Sequence, residues 1–168
     1  RATISIVNHG HDHDICNLLN DLIINRSLLK SDLVNYTIVI TNNIPTQLNF
    51  KKTYGEMVSV INNSEKLGFG SNHNNCFKRY ASEVFLVINP DISIVSGDID
   101  DFVMTAYYQN SLVSPFLIED GIKFFPGRER ASIYILLKRF LDLFVRKSNH
   151  SEVGYDDKHY DWIAGVFL

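Results

Sequence analysis

Short apolar runs alternate along the chain with stretches of helical spacing, a pattern typical of βα units around a mostly parallel sheet. The predicted strands are 3–7, 36–40, 57–61, 84–88 and 112–116. The predicted helices are 14–24, 72–81, 98–108 and 132–146, with Ser96 or Asp98 as the N-cap of the third, and 124–130 and 148–160 are predicted loops. The run 84–88 is almost continuously apolar, as expected of a central strand covered on both faces. The pattern therefore predicts an α/β fold.

Composition and charge exclude several classes of protein. The 168 residues match one domain of ordinary size, and with 45% hydrophobic residues the chain can bury a core. A net charge of -3 argues against binding nucleic acid through bulk positive charge. No apolar run approaches the roughly 20 residues that span a bilayer. Cys16 and Cys76 lack metal-ligand spacing, so we expect free thiols in a reducing compartment.

The two ends of the sequence led to one further expectation. The first residue is not Met, and the apolar run 162–168 stops without a polar terminus. Natural termini are usually polar and frayed. We therefore interpret residues 1–168 as a single domain that is incomplete at its C-terminus.

Small polar residues follow three of the predicted strands, at 8–11, 41–43 and 89–91. Ligands of a parallel α/β sheet bind outside the carboxyl ends of the strands, so these three strand ends are expected to share one pocket. The alternative is that they are ordinary polar loops, since connecting segments are polar in any case.

Three features near these strand ends bear on chemistry. Asp91, just past a buried strand, is well placed to hold Mg²⁺, or it is simply an Asx-turn residue. The bend 66–74 can bring backbone N–H groups close to a phosphate or ribose, although it has neither the Walker nor the dinucleotide-binding order of glycines. His9, His11 and His13 alternate, but no cysteine or acidic cluster completes a metal site, which favours solvated or capping roles.

Taken in order, five segments of the chain resemble the family 2 glycosyltransferases, and most closely the rhamnosyltransferase-like branch of bacterial surface-polysaccharide assembly. The segments are 4–11, 38–42, 67–74, 85–91 and 161–165, and the most specific are Gly-Phe-Gly-x-Asn-His-Asn, Asn-Pro-Asp and Asp-Trp-x-x-Gly. The resemblance covers nearly the whole chain. It implies a GT-A fold, a Rossmann-like and mostly parallel sheet flanked by helices, with the nucleotide-binding portion present and the acceptor part missing.

The resemblance also implies roles for individual residues. The implied nucleotide-binding residues are Asn8, His9, Thr41, Asn42, Gly68, Phe69, Asn74 and Asn89. Thr41 stands where many relatives carry an Asp against the base, which leaves the base open, and Gly68 is expected to need glycine geometry or a close approach. Asn89 and Asp91 occupy the place of the Asp-x-Asp motif, with Asp91 as the ligand of Mg²⁺ or Mn²⁺. Trp162 and Gly165 fall on the donor-sugar and acceptor side, and the catalytic base is expected beyond Leu168.

The implied reaction is the metal-dependent, inverting transfer of a sugar from a nucleotide-sugar donor to a saccharide or lipid-linked acceptor. An alternative of another class is a non-catalytic nucleotide- or sugar-binding scaffold module. The resemblance favours a cytoplasmic enzyme, with the apolar, basic-flanked helix 132–146 either packed inside the protein or in peripheral contact with the inner face of the membrane. Lys123, Arg128 and Arg130 are read as solvated charges or as contacts to a diphosphate. The 168 residues alone are expected to be inactive and to form a homodimer.

Overall fold

A computed structural model of the protein describes residues 1–25, 31–124, 127–128 and 162–163. The chain divides into one unit of residues 1–113 and 166–168 and a second unit of residues 114–165. The predicted helix 132–146 and loop 148–160, together with Arg130 and Gly165, lie outside the described residues.

A four-stranded parallel sheet forms the centre of the first unit. Its strands are β1 (Ala2–Asn8), β2 (Tyr36–Asn42), β3 (Val58–Asn62) and β4 (Val84–Ile88), in the spatial order β3-β2-β1-β4. Four of the five predicted strands are thus confirmed, with bounds shifted by no more than two residues. The expectation that 84–88 is a central strand covered on both faces is wrong, because β4 is an edge strand of the described sheet and its Phe85 and Val87 are only half-buried. The chain adds β2 and β3 on one side of β1 and then crosses to the other side to form β4, so the strand order reverses between β1 and β4.

Helices connect and cover these strands. They are α1 (Asp12–Leu19), which continues as a π-helical turn over Asn20–Asn25, α2 (Phe50–Tyr54), α3 (Phe69–Arg79) and α4 (Ile99–Gln109). Three confirm predicted helices, and Asp98 is the N-cap of α4, its carboxylate accepting from the Asp100 N–H at 2.8 Å. The sequence analysis missed α2, because its five residues are too few to show helical periodicity.

Side chains alternate between the two faces of the sheet and so divide the core in two. Isoleucines and a leucine of β1, β2 and β4 form the larger cluster with α1 and α4; its fully buried members include Ile4, Ile6, Ile38, Ile40, Leu86 and Ile88. The opposite face packs against α3 through Val39, Ile61 and Cys76. This second face also carries buried hydroxyls, since Thr3 donates to the Tyr80 carbonyl at 2.7 Å. The architecture is therefore α/β, with a parallel sheet flanked by helices, and is compatible with a Rossmann-like fold.

The second unit contains two short antiparallel pairs. Strands β5 (Leu117–Glu119) and β6 (Ile122–Phe124) form a hairpin, and β7 (Gly127–Arg128) pairs with β8 (Trp162–Ile163). Asp120 and Gly121 form the two-residue turn between β5 and β6, and both have positive φ, as tight hairpin turns require. The Lys123 ammonium of β6 lies 4.5 Å from the centre of the ring of Phe116, the residue before β5.

Two expectations for this region are wrong. The strand predicted at 112–116 is absent, and pairing starts at Leu117 instead. Pro115 has no N–H to donate to a ladder, which explains why the apolar run does not pair. The segment predicted as a loop, 124–130, includes the end of β6 and the whole of β7.

Among the residues that the structure describes, no helix has the length and apolar character needed to cross a membrane.

Candidate functional site

A cleft of about 350 Å³ opens at the carboxyl edge of the parallel sheet. The residues that line it are Val7, His9, His11, Asn43, Leu67, Phe69, Asn72, His73, Ile88, Asn89, Pro90 and Asp91. They come from the ends of β1, β2 and β4 and from the first turn of α3 with the bend before it. The cleft therefore lies where the strand order reverses, the position at which open α/β sheets bind ligands.

Asn8, at the end of β1, shapes the loop that follows the strand. Its Oδ1 accepts from the backbone N–H groups of Gly10 and His11, both at 3.1 Å. Its Nδ2 donates to Asp12 at 2.6 Å and to the Asn42 Oδ1 at 3.0 Å. An amide offers two donors and two acceptor positions, so all the hydrogen-bonding capacity of this buried side chain is in use. In this arrangement Asn8 positions the loop and has no group left for a ligand.

The end of β2 continues the same row of amides below the cleft. Asn42 lies opposite both Asn8 and Asn62 in the sheet register, and its Nδ2 donates to the Asn62 Oδ1 at 2.8 Å. Thr41 is fully buried, and its hydroxyl has no hydrogen-bond partner in the described part of the chain. Neither Thr41 nor Asn42 lines the cleft, so the structure places these two candidate nucleotide contacts beneath its rim.

Asn43 holds the bend before α3 against the end of β2. Its Nδ2 donates to the Leu67 carbonyl at 2.9 Å and lies 3.0 Å from the His9 Nδ1. Its Oδ1 accepts from the Leu67 N–H at 2.8 Å and from the Asn63 Nδ2 at 3.0 Å. Asn63 donates onward to Asn72 on α3 at 2.6 Å. We call Asn43, Asn63 and Asn72 the amide cluster.

The amide cluster was largely missed by the sequence analysis, which named Asn43 only as part of a polar strand end. The signal that identifies it is a repeated pair: Asn42-Asn43 and Asn62-Asn63 follow two neighbouring strands in register. Two such pairs at one sheet edge bring four amides together, because register partners in a parallel ladder lie side by side.

Two candidate residues of the bend and α3 differ from expectation. Gly68 is the N-cap of α3 with φ −69° and ψ 162°, and no atom lies within 4 Å of a Cβ built there. The expectation that Gly68 needs glycine geometry is therefore wrong. Gly10 is the position that needs it, with φ +93° and the Ile44 Cδ1 3.3 Å from a built Cβ. Asn74 is exposed on α3 and does not line the cleft, whereas Asn72 does.

His73 is a lining residue that the sequence analysis did not select. It is 6% exposed, its Nδ1 lies 2.8 Å from the Ser5 hydroxyl, and its ring packs edge-on against Phe69 with centroids 4.4 Å apart. Burial lowers the pKa of His73 from 6.5 to about 4, so the imidazole is neutral at physiological pH. Its Nε2 is buried and has no hydrogen-bond partner among residues 1–25 and 31–124.

Asp91 and Asn89 lie on the β4 side of the cleft, as the strand-end argument predicts. Asp91 is exposed and is the single carboxylate among the described lining residues. No group of three or more His, Cys, Asp or Glu side chains capable of holding a metal occurs in the described residues. Mg²⁺ is commonly held by one or two carboxylates together with phosphate oxygens and water, so a single carboxylate such as Asp91 is enough on the protein side.

Of the remaining candidate residues, some line the cleft and others lie elsewhere. His9 and His11 line the cleft but His13 does not. His11 is the N-cap residue of α1, but its side chain is exposed and makes no capping hydrogen bond, so of the two expected roles the solvated one applies. Trp162 lies in β8, paired with Arg128 in the second unit.

No protein-family model matches the sequence, and no curated protein matches it. The fold class and the geometry of the cleft therefore carry the functional argument.

Proposed function

We propose that the protein binds a nucleotide sugar in the cleft and acts as the donor-binding portion of a metal-dependent glycosyltransferase with a GT-A fold. The observation that carries the proposal is the position of Asp91, which follows β4 and faces a cleft at the reversal of strand order. The same cleft takes residues from the first turn of α3, where backbone N–H groups favour phosphate or ribose.

The chemistry of the lining supports a nucleoside diphosphate as the ligand. Leu67 and the half-exposed ring of Phe69 form an apolar wall on which a base can pack, and the volume falls in the range of small-molecule sites. The described lining contains no Lys or Arg to balance a diphosphate. A divalent cation held by Asp91 would supply the balancing positive charge, which is why we propose that binding depends on a metal.

In the proposed reaction an acceptor hydroxyl, on a saccharide or a lipid-linked saccharide, displaces the nucleoside diphosphate from the anomeric carbon with inversion. Mg²⁺ or Mn²⁺ would offset the charge that builds on the departing diphosphate. Asp91 contributes by positioning that ion. A carboxylate base would remove the hydroxyl proton, and we assign that role to no described residue.

Calorimetry tests the proposal directly. UDP, dTDP, GDP and ADP are titrated into the protein with MnCl₂ and, separately, with EDTA. We expect at least one nucleotide to bind with Mn²⁺ and to bind roughly tenfold or more weakly without it, since a charge-assisted contact is lost. Asp91→Asn should reproduce the loss in the presence of Mn²⁺, and Asp101→Asn, an exposed carboxylate on α4, serves as the matched control. Equal affinity of wild type and Asp91→Asn would refute the metal role, and no binding of any nucleotide would refute the proposal.

A non-catalytic scaffold module is the second candidate, and one observation favours it. The described lining holds one carboxylate, and a cation ligand and a general base call for two separate groups. Donor turnover separates the two functions. A transferase, tested with acceptor, releases nucleoside diphosphate from the bound nucleotide sugar. A scaffold binds the nucleotide sugar without releasing it.

A further inference from the structure

His73 combines burial, neutrality and an unused nitrogen in a way that no structural role accounts for. One ring nitrogen contacts Ser5, while the buried Nε2 has no partner in the described part of the chain. Leaving a buried polar group unpaired costs stability, and such groups are rare in folded proteins. Because His73 also lines the cleft, the missing partner of Nε2 is best supplied by a ligand.

The neighbours of Ser5 determine which nitrogen of His73 carries the proton. The Ser5 hydroxyl lies 2.8 Å from the His73 Nδ1, and it is also a neighbour that lowers the pKa of the Cys76 thiol. Burial raises the pKa of that thiol, so Cys76 stays protonated and offers a weak S–H donor. The hydroxyl has one proton, and imidazole nitrogen is a stronger acceptor than sulfur. We expect Ser5 to donate to the stronger acceptor, Nδ1, which would put the ring proton on Nε2.

The charges around His73 determine whether the Nε2–H donates to a charged or an uncharged acceptor. The groups in direct contact with the imidazole, Ser5 and Phe69, are uncharged, and the first turn of α3 presents the positive end of the helix dipole. His9, His11 and Asp91 are the titratable groups that share the cleft. The surroundings thus favour the neutral ring. A phosphate at this point would instead draw a second proton onto it.

We propose that His73 is a specificity-determining residue whose Nε2–H donates a hydrogen bond to an uncharged oxygen or ring nitrogen in the nucleoside part of the ligand. The inference rests on the proposed function, since it assumes a nucleotide in the cleft. The half-exposed Phe69 is the neighbour that can turn aside to let the ligand reach Nε2. The phosphates then lie towards Asp91, and His73 contacts base or ribose.

Two substitutions separate the two nitrogens of the ring. The amide of His73→Asn takes the place of Nδ1 and keeps the Ser5 contact but has no group at the Nε2 position. The amide of His73→Gln reaches the Nε2 position. Against the tightest-binding nucleotide of the panel, with Mn²⁺, we expect a roughly tenfold loss of affinity for His73→Asn and less than about threefold for His73→Gln. His13→Gln, an exposed histidine of α1 that does not line the cleft, is the control.

Two further measurements complete the experiment. The ¹⁵N shifts of the wild-type imidazole report its tautomer, and we expect the proton on Nε2. Titration with Mn²⁺ and inorganic pyrophosphate isolates the phosphate contacts, and His73→Asn should leave that affinity unchanged.

Each alternative outcome overturns a stated part of the argument. A proton on Nδ1 would overturn the donor role. Equal nucleotide affinity of wild type and His73→Asn would overturn the inference and leave the proposed function standing. A matching loss for pyrophosphate would mean that His73 contacts phosphate instead. If no nucleotide binds the wild type, the proposed function fails and the inference fails with it.

Discussion

At the scale of single residues, the cleft is built by amide side chains whose bonding groups are already engaged with one another. Asn43 is the centre of this arrangement. Two of its four contacts join the end of β2 to Leu67 in the bend before α3, and the other two go to His9 and Asn63. Amides suit this task because each supplies donors and acceptors without the desolvation cost of a buried charge.

Asn43→Ala is therefore expected to destabilise the protein substantially. The substitution leaves the Leu67 N–H without its partner. It also removes one of the two partners of the Leu67 carbonyl and of the Asn63 amide, which keep only their contacts with Asn72. We expect a loss of about 2 to 4 kcal/mol in the free energy of unfolding, measured by urea titration. Asn74→Ala, on the exposed side of α3, should change it by less than about 0.5 kcal/mol. A neutral Asn43→Ala would show that the amide cluster does not hold the bend.

The buried imidazole of His73 predicts how stability depends on pH. Its pKa is about 4 in the folded protein against 6.5 as the ordinary value, so between these pH values the unfolded chain binds the proton and the folded chain does not. Stability is therefore unaffected by this group above pH 6.5 and falls as the pH drops towards 4. Linkage gives a loss of about 2 kcal/mol between pH 8 and pH 5.

His73→Gln removes this titration and provides the test. Urea titrations at pH 8 and pH 5 should show a smaller acid-induced loss for the variant than for the wild type, by roughly the same 2 kcal/mol. Carboxylates contribute equally to both proteins and cancel in the comparison. Parallel pH profiles for the two proteins would mean that His73 titrates normally in the fold.

At the scale of elements, Gly10 and Gly68 near the cleft differ in backbone conformation, so substitutions at the two positions are expected to have opposite effects on stability. Gly68 has extended backbone angles at the N-cap of α3, where its missing side chain leaves a helix N–H uncapped. Gly68→Ser should raise the free energy of unfolding by roughly 0.2 to 0.5 kcal/mol, because serine is a somewhat better N-cap than glycine. Gly10→Ala should lower it by about 1 to 2 kcal/mol, because of its positive φ and the nearby Ile44 methyl.

Urea titration measures both changes, and nucleotide affinity is measured alongside. If Gly68 is needed for close approach of a ligand, Gly68→Ser will bind more weakly while being more stable. A destabilised Gly68→Ser would contradict the cap geometry.

How far the sequence predicts this fold depends on the kind of element. The strands of the parallel sheet were predictable because each is a short apolar run with turn residues after it, and β4 matches its predicted bounds fully. Its place at the edge of the described sheet was not, because the apolar run alone does not give the strand order. Helix α2 and the start of β5 were not, because the first is one short turn and the second depends on the missing N–H of Pro115.

Part of the cleft was also predictable from the pattern of strands. Parallel strand ends converge at one edge, so His9, Asn89 and Asp91 were expected together. The roles of Asn8 and His73 depend on distant contacts. Asn8 binds Asn42, 34 residues away in sequence, and His73 contacts Ser5, 68 residues away, and no local pattern reveals such contacts.

At the scale of the whole molecule, every described residue of the cleft lies within residues 1–113. This segment holds all four strands of the described parallel sheet and both described clusters of buried residues. Its length falls within the usual range for an independent domain.

A chain ending at Val113 is therefore expected to fold by itself and to keep the cleft. Circular dichroism should show a single cooperative urea transition, and its affinity for the nucleotide selected by calorimetry should lie within about threefold of the 168-residue protein. A gradual, non-cooperative transition would mean that residues 114–168 are needed to complete the core.

The attachment of the bend to β2 by Asn43 also has a kinetic consequence. Since Leu67 is fixed through both its N–H and its carbonyl without any ligand, one wall of the cleft is ordered before an encounter takes place. A binding partner then need not wait for this segment to fold, and little of its interaction energy is lost to ordering the chain. Association monitored by stopped-flow fluorescence should proceed in one exponential phase with a rate that rises linearly with ligand concentration.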